Sequence, residues 1–189
     1  MAHDILIEGN MAEPQVTSLR SIEYNVPDLA KTSRFYELCW GLKTVAEEDG
    51  TNYFRATGAE HHIVVLHEGG KASVNRVNFS AQDSAAVDGL HAKLSGLGIT
   101  TDGDPKNISG PGGGYGFGFT DRDGLNYAIS SDVAVHSDTE MVGDRPFKLS
   151  HVVLNSDKVE DQTDFYRDVL GFRVSDRTER MNFIRCSPD

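Results

Sequence analysis

Apolar residues along this chain switch repeatedly between the spacing of a strand and the spacing of a helix. The clearest helical stretch lies between two extended runs, at residues 74–80 and 125–130. We expect Asp83 or Ser84 to cap this helix and Gly98 to end it. Its apolar face consists of four residues, Val87, Leu90, Leu94 and Leu97. An alternating run, Tyr115, Phe117 and Phe119, predicts a further strand with one aromatic face.

The preceding part of the chain follows the same plan. Asp28 is a suitable N-cap for a helix, and Gly41 is suitable as the residue just past its end. The predicted apolar face of this helix consists of Leu29, Phe35, Tyr36 and Cys39. Strands are predicted around it at 18–26, 43–48, 52–56 and 62–66, with a tight turn at Asp49-Gly50. Each unit therefore reads as βαβββ.

A third unit begins near residue 148. It predicts a strand at 149–155, a helix with the capping-box pair Asp157 and Glu160 that ends at Gly171, and two strand-like runs. The apolar stripe of that helix is Val159, Phe165, Tyr166, Val169 and Leu170. We expect the sequence to end before this unit's last strand, which would leave apolar surface and unpaired backbone groups. Residues 148–189 are therefore expected either to be poorly ordered or to dock on a second copy. The expected assembly is a homo-oligomer.

The third unit repeats the first at an offset of 130 residues. The identical pairs fall at structural joints: Leu19/Leu149, Asn25/Asn155, Phe35/Phe165, Tyr36/Tyr166, Gly41/Gly171, Asn52/Asn182 and Arg55/Arg185. One difference carries chemistry, because Ser21 in the first copy corresponds to His151 in the third. An internal repeat of this kind must be recognised before any fold is assigned.

These units predict an α+β fold in which two βαβββ modules pair into a half-open barrel, followed by a truncated third module. The expected division is an N-terminal tail at 1–17, a two-module domain at 18–131, a linker at 132–147 and an incomplete module at 148–189.

Composition and net charge limit the binding partners and the location that are expected. The net charge of −11 argues against nucleic acid or an anionic membrane surface as a partner. No segment has the length of a membrane span, and the N-terminus lacks the features of a signal peptide. Cys39 and Cys186 are interpreted as core residues in a reducing compartment, so the expected location is the cytoplasm.

Several motifs together resemble the vicinal oxygen chelate superfamily of glyoxalases, bleomycin-resistance proteins and type I extradiol dioxygenases. They are the F-Y-x-x-x-x-G joints, the run L-S-H-V-V-L, the D-R-D-G turn and the ending F-I-R-C-S-P. The closest resemblance is to two-domain extradiol dioxygenases, which have four such modules and a non-catalytic first domain. The resemblance implies an Fe(II) enzyme that cleaves a small catechol-type aromatic.

In that family one metal ligand lies on the first strand of the third module, and the resemblance assigns this role to His151. The other ligands, a second histidine and a carboxylate, lie in the fourth module, and a further acid/base histidine follows the F-x-x-C motif. We therefore expect this chain by itself to be inactive and to bind no metal tightly. The counterparts in the first domain, Ser21, Arg76 and Asn126, are poor iron ligands.

Two other motifs suggest chemistry but favour plainer interpretations. On a regular strand His61 and His62 point to opposite faces, so they cannot share one ion and are expected at the surface or in the cleft. The glycine-rich run 109–118 lacks the Lys-Ser/Thr pair of a phosphate loop and leads into a strand. We expect a simple connecting loop there.

Three functions stay open from the sequence. The first is extradiol ring cleavage by the full-length protein, with His151 as a ligand. The second is a glyoxalase-like metal-dependent isomerase or lyase. The third is a metal-free binding module whose cleft, lined by Ser21, Arg76 and Tyr127, holds a small anionic molecule.

Overall fold

The computed structural model describes residues 15–187. Most of the predicted tail at 1–17 therefore lies outside the described residues, as do the last two positions. The tail prediction is wrong at its end, because Val16 already begins the first strand and is fully buried. Its backbone N–H donates to the carbonyl of Leu170 at 2.9 Å, which ties the strand to the third unit.

Module one, defined here as residues 16–68, has the predicted βαβββ order. Asp28 caps the helix by accepting from the N–H of Lys31 at 2.8 Å, and Gly41 follows it with a φ of 65°. Asp49 and Gly50 both have positive φ, as the tight turn between two strands requires. The elements are β1 (Val16–Val26), α1 (Leu29–Trp40), β2 (Lys43–Glu48), β3 (Thr51–Arg55) and β4 (Val64–Glu68).

Module two, defined as residues 73–131, repeats the order with two short additional pairings. Its helix is capped by Asp83, which accepts from the N–H of Ala86 at 2.8 Å. The aromatic face is confirmed, because Phe117 and Phe119 are buried. The elements are β5 (Ser73–Ala81), α2 (Ser84–Gly96), β6 (Thr100–Thr101), β7 (Lys106–Asn107), β8 (Tyr115–Thr120) and β9 (Asn126–Ser131).

The two modules share one mixed sheet in the order β2-β3-β4-β1-β5-β9-β8-β6, with β7 beside β8. The central pair, β1 and β5, is antiparallel, whereas β4 runs parallel to β1 and β9 runs parallel to β5. Among the described residues the outer strands β2 and β6 do not pair with each other, so the sheet does not close into a barrel. The predicted α+β class with an open sheet is confirmed.

The helices bury less of their predicted faces than expected. Phe35 is half exposed and Cys39 is exposed, because α1 touches the sheet mainly through Leu29, Ser33 and Tyr36. Positions 35 and 39 fall on the neighbouring side of a helix with 3.6 residues per turn. In α2, Val87, Leu90 and Leu94 are fully buried, whereas Leu97 is exposed because the helix has ended at Gly96.

Module three, defined as residues 149–185, departs from the prediction at its start. The predicted strand at 149–155 is not formed, because no strand among the described residues lies beside it. Burial still alternates along the segment, with Val152 and Leu154 against the core and His151, Val153 and Asn155 exposed. The elements that follow are α3 (Val159–Asp168), β10 (Arg173–Arg177) and β11 (Asn182–Arg185).

The predicted capping box of α3 is also wrong. Lys158 occupies the N-cap position without a side-chain hydrogen bond, so Asp157 does not cap the helix. Glu160 instead accepts from Asn182 at 3.0 Å and from Arg177 at 2.9 Å. Both donors lie on the β10–β11 hairpin, and the carboxylate therefore joins the helix to the hairpin.

Module three packs on this chain's own second module. The hydroxyls of Tyr166 and Tyr127 are 2.6 Å apart, and the rings of Phe172 and Phe79 meet edge to face at 5.5 Å. The predicted linker lies along module one, where the carbonyls of Pro146 and Phe147 accept from Thr57 and Gly58. None of the helices in the described range has the length and apolarity that crossing a bilayer requires.

Candidate functional site

His151 lies on the unpaired segment that precedes α3, with its side chain exposed. Its polar neighbour is Ser150, whose Oγ lies 3.2 Å from Nδ1 of the imidazole. Within residues 15–187 there is no group of three or more His, Cys, Asp or Glu side chains that could hold a metal ion. A single imidazole does not define a coordination geometry, so the residues present do not fit a resident metal centre.

The position that corresponds to His151 in module one is filled by a buried hydrogen-bond network. Ser21 is fully buried on β1, and the side-chain amide of Asn78 donates to its Oγ at 3.0 Å. The strand register pairs Ser21 with Asn78, whereas Arg76 pairs with Glu23. Arg76 therefore lies two residues from the pairing partner of Ser21.

Glu23 supplies the negative charge of this network. Its carboxylate accepts from Asn78 at 2.9 Å and lies 2.8 Å from Nε2 of His67. Burial by itself would raise the pKa of Glu23, but the hydrogen bonds from His67 and Asn78 hold the pKa below its usual range. Arg76 adds a favourable charge, although its buried Nε has no hydrogen-bond partner among the described residues. The carboxylate of Glu23 thus already has hydrogen-bond partners and a nearby positive charge within this chain.

The predicted anion cleft of Ser21, Arg76 and Tyr127 is not formed. Tyr127 is almost fully buried on the opposite face of the sheet, stacked on Phe119 at 5.0 Å. Successive strand residues alternate between faces, and Tyr127 pairs with Val77, which also faces the core. Asn126 is exposed and bonds to Thr120 and to the carbonyl of Asn75.

His61 and His62 lie in the loop before β4 and not on a strand, so the prediction of opposite faces is wrong. Their Nδ1 atoms are 3.0 Å apart, and His136 stacks on His61 with 5.5 Å between ring centroids. Burial, together with the neighbouring His61, lowers the pKa of His62 to about 4. The pair is half-buried, as expected of cleft-lining residues, and it forms part of no three-ligand cluster in the described range.

The glycines of the run 109–118 allow this loop to lie close to its neighbours. A Cβ on Gly112 would lie 3.0 Å from the His61 ring, and a Cβ on Gly114 would lie 2.7 Å from the carbonyl oxygen of Ser131. Both glycines also have positive φ. The loop therefore packs against module one and the residues after β9, which supports the plainer interpretation.

Of the two cysteines predicted as core residues, one is exposed. Cys39 is exposed on α1 and is not a core residue, because it lies on the solvent side of the helix. Cys186 is half-buried against the core, and burial raises the pKa of its thiol.

A buried phenol pair between modules two and three was not predicted. The hydroxyl of Tyr127 donates to Asp121 at 3.1 Å, and Tyr127 also bonds to Tyr166 of α3. Burial raises the pKa of both tyrosines. Tyr166 was predicted only as part of an apolar stripe, because the partner of its hydroxyl lies in another module and no local spacing indicates it.

Comparisons with known proteins agree with this architecture. A family model described as "Glyoxalase/Bleomycin resistance protein/Dioxygenase superfamily" matches residues 18–129 and 148–189. A Mn(II)-bound glyoxalase from Novosphingobium aromaticivorans is 38% identical with a TM-score of 0.87, over 91% of this chain and 58% of that chain.

Ring-cleaving dioxygenases are also similar. Metapyrocatechase 2 of Cupriavidus necator is 27% identical over 87% of this chain and 55% of its own length. Homoprotocatechuate 2,3-dioxygenase from Arthrobacter globiformis is 23% identical with a TM-score of 0.77, over 94% of this chain and 58% of that chain, which supports the fold alone. This chain thus spans little more than half the length of these relatives.

Proposed function

Because this chain belongs to the glyoxalase/bleomycin resistance protein/dioxygenase superfamily, we propose that it is the N-terminal part of an extradiol ring-cleaving dioxygenase. In this proposal, residues 18–131 form a non-catalytic domain, 132–147 a linker, and 148–189 the first part of the catalytic domain. The substrate class is a small catechol-type aromatic. We also propose that the protein acts in the cytoplasm as a homo-oligomer, with no nucleic acid or membrane partner.

The observation that carries the proposal is the contrast between positions 21 and 151. Module three repeats module one, yet it has an exposed imidazole where module one has a buried serine. The two residues lie on matching segments immediately before matching helices. This contrast supports His151 as the ligand-type side chain, since its imidazole is exposed and contacts Ser150, whereas Ser21 is buried in a hydrogen-bond network.

We propose His151 as one protein ligand of Fe(II) in the full-length protein. Ferrous dioxygenase sites use two histidines and one carboxylate and leave other positions open for the reactants. Residues 15–187 provide only the first of these groups, so no catalytic step is assigned to them. The remaining ligands are expected from residues that follow this sequence in the natural protein.

The test compares two polypeptides, the 189-residue chain and the full-length protein of the proposal. We expect ring cleavage of catechol or 2,3-dihydroxybiphenyl, with oxygen uptake, only from the longer product. H151A should abolish activity and stoichiometric iron binding there, whereas H91Q, which removes an imidazole from α2, should retain both. Stoichiometric iron binding and turnover by the 189-residue chain would show that the proposed ligand set is wrong.

A glyoxalase-like isomerase or lyase is the second candidate. The similarity to the Mn(II)-bound glyoxalase, at 38% identity, favours it. The same two polypeptides distinguish the candidates, because isomerisation of a methylglyoxal–thiol adduct consumes no oxygen. Isomerase activity that survives under anaerobic conditions would replace ring cleavage as the assigned reaction.

A further inference from the structure

Part of the linker, residues 134–140, is held to module one by backbone hydrogen bonds. The N–H of His136 donates to the carbonyl of Ala59 at 2.8 Å, and the N–H of Glu140 donates to the carbonyl of Thr57 at 3.0 Å. Within 134–140 His136 is half-buried and the other residues are exposed. These residues, named here the linker segment, are therefore of the kind that opens locally, because few buried contacts hold them.

His136 joins the linker segment to two histidines of module one, and the three are named here the histidine cluster. Its Nε2 lies 3.2 Å from the carbonyl oxygen of His61, and its ring stacks on the His61 ring with 5.5 Å between centroids. The Nδ1 atoms of His61 and His62 are 3.0 Å apart. One of these two nitrogens must donate and the other must be unprotonated, so the contact requires that the two rings are not both charged.

The groups that face the histidine cluster compensate little added positive charge. Each nearby carboxylate already has a partner: Glu60 lies 3.6 Å from Arg20, Asp138 lies 2.9 Å from Arg55, and Glu23 lies 2.8 Å from His67. Asp138 is also 4.0 Å from Nδ1 of His136. The ring of Tyr53 meets that of His62 at 5.2 Å, and residues 109–114 of the glycine-rich loop include no ionisable side chain. Further protons on the cluster would therefore be close to two arginines and to carboxylates that are already paired.

We propose that the histidine cluster is a pH-sensitive switch, which holds the linker segment on module one at neutral pH and releases it in mild acid. Two charged rings in the stack of His61 and His136 would repel each other, and two charged rings at His61 and His62 would lose their hydrogen bond. The closed form therefore excludes protons that the released form accepts. The linker segment lies between module two and module three in the chain, so the switch makes that connection sensitive to pH.

The direction of the pH dependence follows from proton binding. Burial, followed by the charges of His136 and Arg55, lowers the pKa of His61 from its ordinary value of 6.5. Release exposes the stacked rings to water, where the ordinary pKa returns. Below about pH 6.5 the released form therefore binds more protons than the closed form, and acid favours release. This inference does not depend on the reaction proposed above.

The test measures hydrogen exchange of the 189-residue chain by mass spectrometry at about pH 7.5 and about pH 5, with rates corrected for the intrinsic pH dependence of exchange. We expect protection of the linker segment to fall about tenfold or more in acid, because the released form binds more protons. Amides of β1 should still exchange more slowly than those of the linker segment at both pH values, since the sheet stays folded.

Two variants each remove one ring of the stack. H136Q keeps a donor for the carbonyl of His61 but cannot become charged, and H61Q removes the other charge. In each, the loss of protection in acid should shrink to about threefold or less. H91Q, which removes an imidazole from α2, is the control and should behave like the unaltered chain.

Three results would overturn the proposal. They are unchanged protection of the linker segment at about pH 5, a full acid response in both H136Q and H61Q, and exchange of the linker segment in acid no faster than that of β1. The last result would show that the whole module unfolds. The measurement uses no iron, oxygen or catechol, so failure here is distinct from failure of the proposed function.

Discussion

Modules one and three are two copies of one plan, and module three has no counterpart of β4 among the described residues. Their hairpins share a register and a bulge, and their helices are followed by Gly41 and Gly171, both with positive φ. In module one, β4 completes the sheet and Phe54 is fully buried, whereas its counterpart Ile184 stays partly exposed. The hairpin register is therefore the same in the two modules, whereas the burial of this position differs.

Modules one and three also differ at the position that is Ser21 in the first and His151 in the third. Module one surrounds Ser21 with Asn78, Glu23 and His67, which satisfy one another inside the sheet. Module three presents His151 without such a network among the described residues. The carboxylate of Glu23 is already engaged by hydrogen bonds within the chain, whereas the exposed imidazole of His151 is available to a cation.

The largest difference between the modules should appear when matched core residues are truncated. F54A should lower the free energy of unfolding by about 3–5 kcal/mol, because it removes a fully buried ring. I184A should cost less than half of that, since this side chain is only partly buried. Urea denaturation followed by circular dichroism measures both. Equal losses would show that module three is packed as fully as module one.

Acid should destabilise module one through His62. Its pKa is about 4 in the folded chain against an ordinary value of 6.5. As pH falls from about 6.5 to about 4, the unfolded chain binds a proton that the folded chain does not, so stability falls, by up to ~3 kcal/mol. H62Q should flatten this slope in urea titrations at successive pH values. An unchanged slope in H62Q would assign the acid sensitivity to other groups.

The phenol pair should contribute less to stability. Y166F removes one buried hydroxyl contact and should cost about 1 kcal/mol, because Tyr127 keeps its bond to Asp121. The loss should appear as faster hydrogen exchange in α3, measured by mass spectrometry. Y115F is the control, and we expect no resolvable change in α3. Identical exchange in Y166F and the unaltered chain would contradict a role for this contact in holding module three.

The smallest effects should come from the repeated asparagines. N52A and N182A each remove a single side-chain bond to a helix hydroxyl, and each should cost about 0.5–1 kcal/mol. Hydrogen exchange should locate the change within the variant's own module. Spread of the N182A effect into β3 or β4 would show that the two modules unfold together.

Much of the fold follows from local pattern. Asp28 and Asp83 cap their helices as predicted, and the turn at Asp49-Gly50 forms as expected. These are short-range effects, in which a carboxylate meets free N–H groups nearby or a glycine accepts positive φ. The repeat at an offset of 130 residues likewise predicted the order of the third module from α3 onwards. The identical residues of the repeat occupy positions where a turn or a hydrogen bond restricts which residue type can be used.

The failed predictions share a different cause. Residues 149–155 have the pattern of a strand, but a strand also needs a hydrogen-bonded neighbour, which depends on residues distant in the sequence. The placement of Tyr127 depended on which face of the sheet it occupies, and the register between β5 and β9 sets that face.

The sequence by itself determined the modular plan, the helix caps and the turns, because these depend on residues that are close together in the chain. It also determined that His151 stands where the first repeat has Ser21, because the two repeats can be aligned directly. Only the tertiary structure decided that Tyr127 bonds to Tyr166 and that Glu23 is hydrogen-bonded by His67 and Asn78. Those contacts join strands and modules that are far apart in the chain. Their geometry exists only once the sheet has assembled.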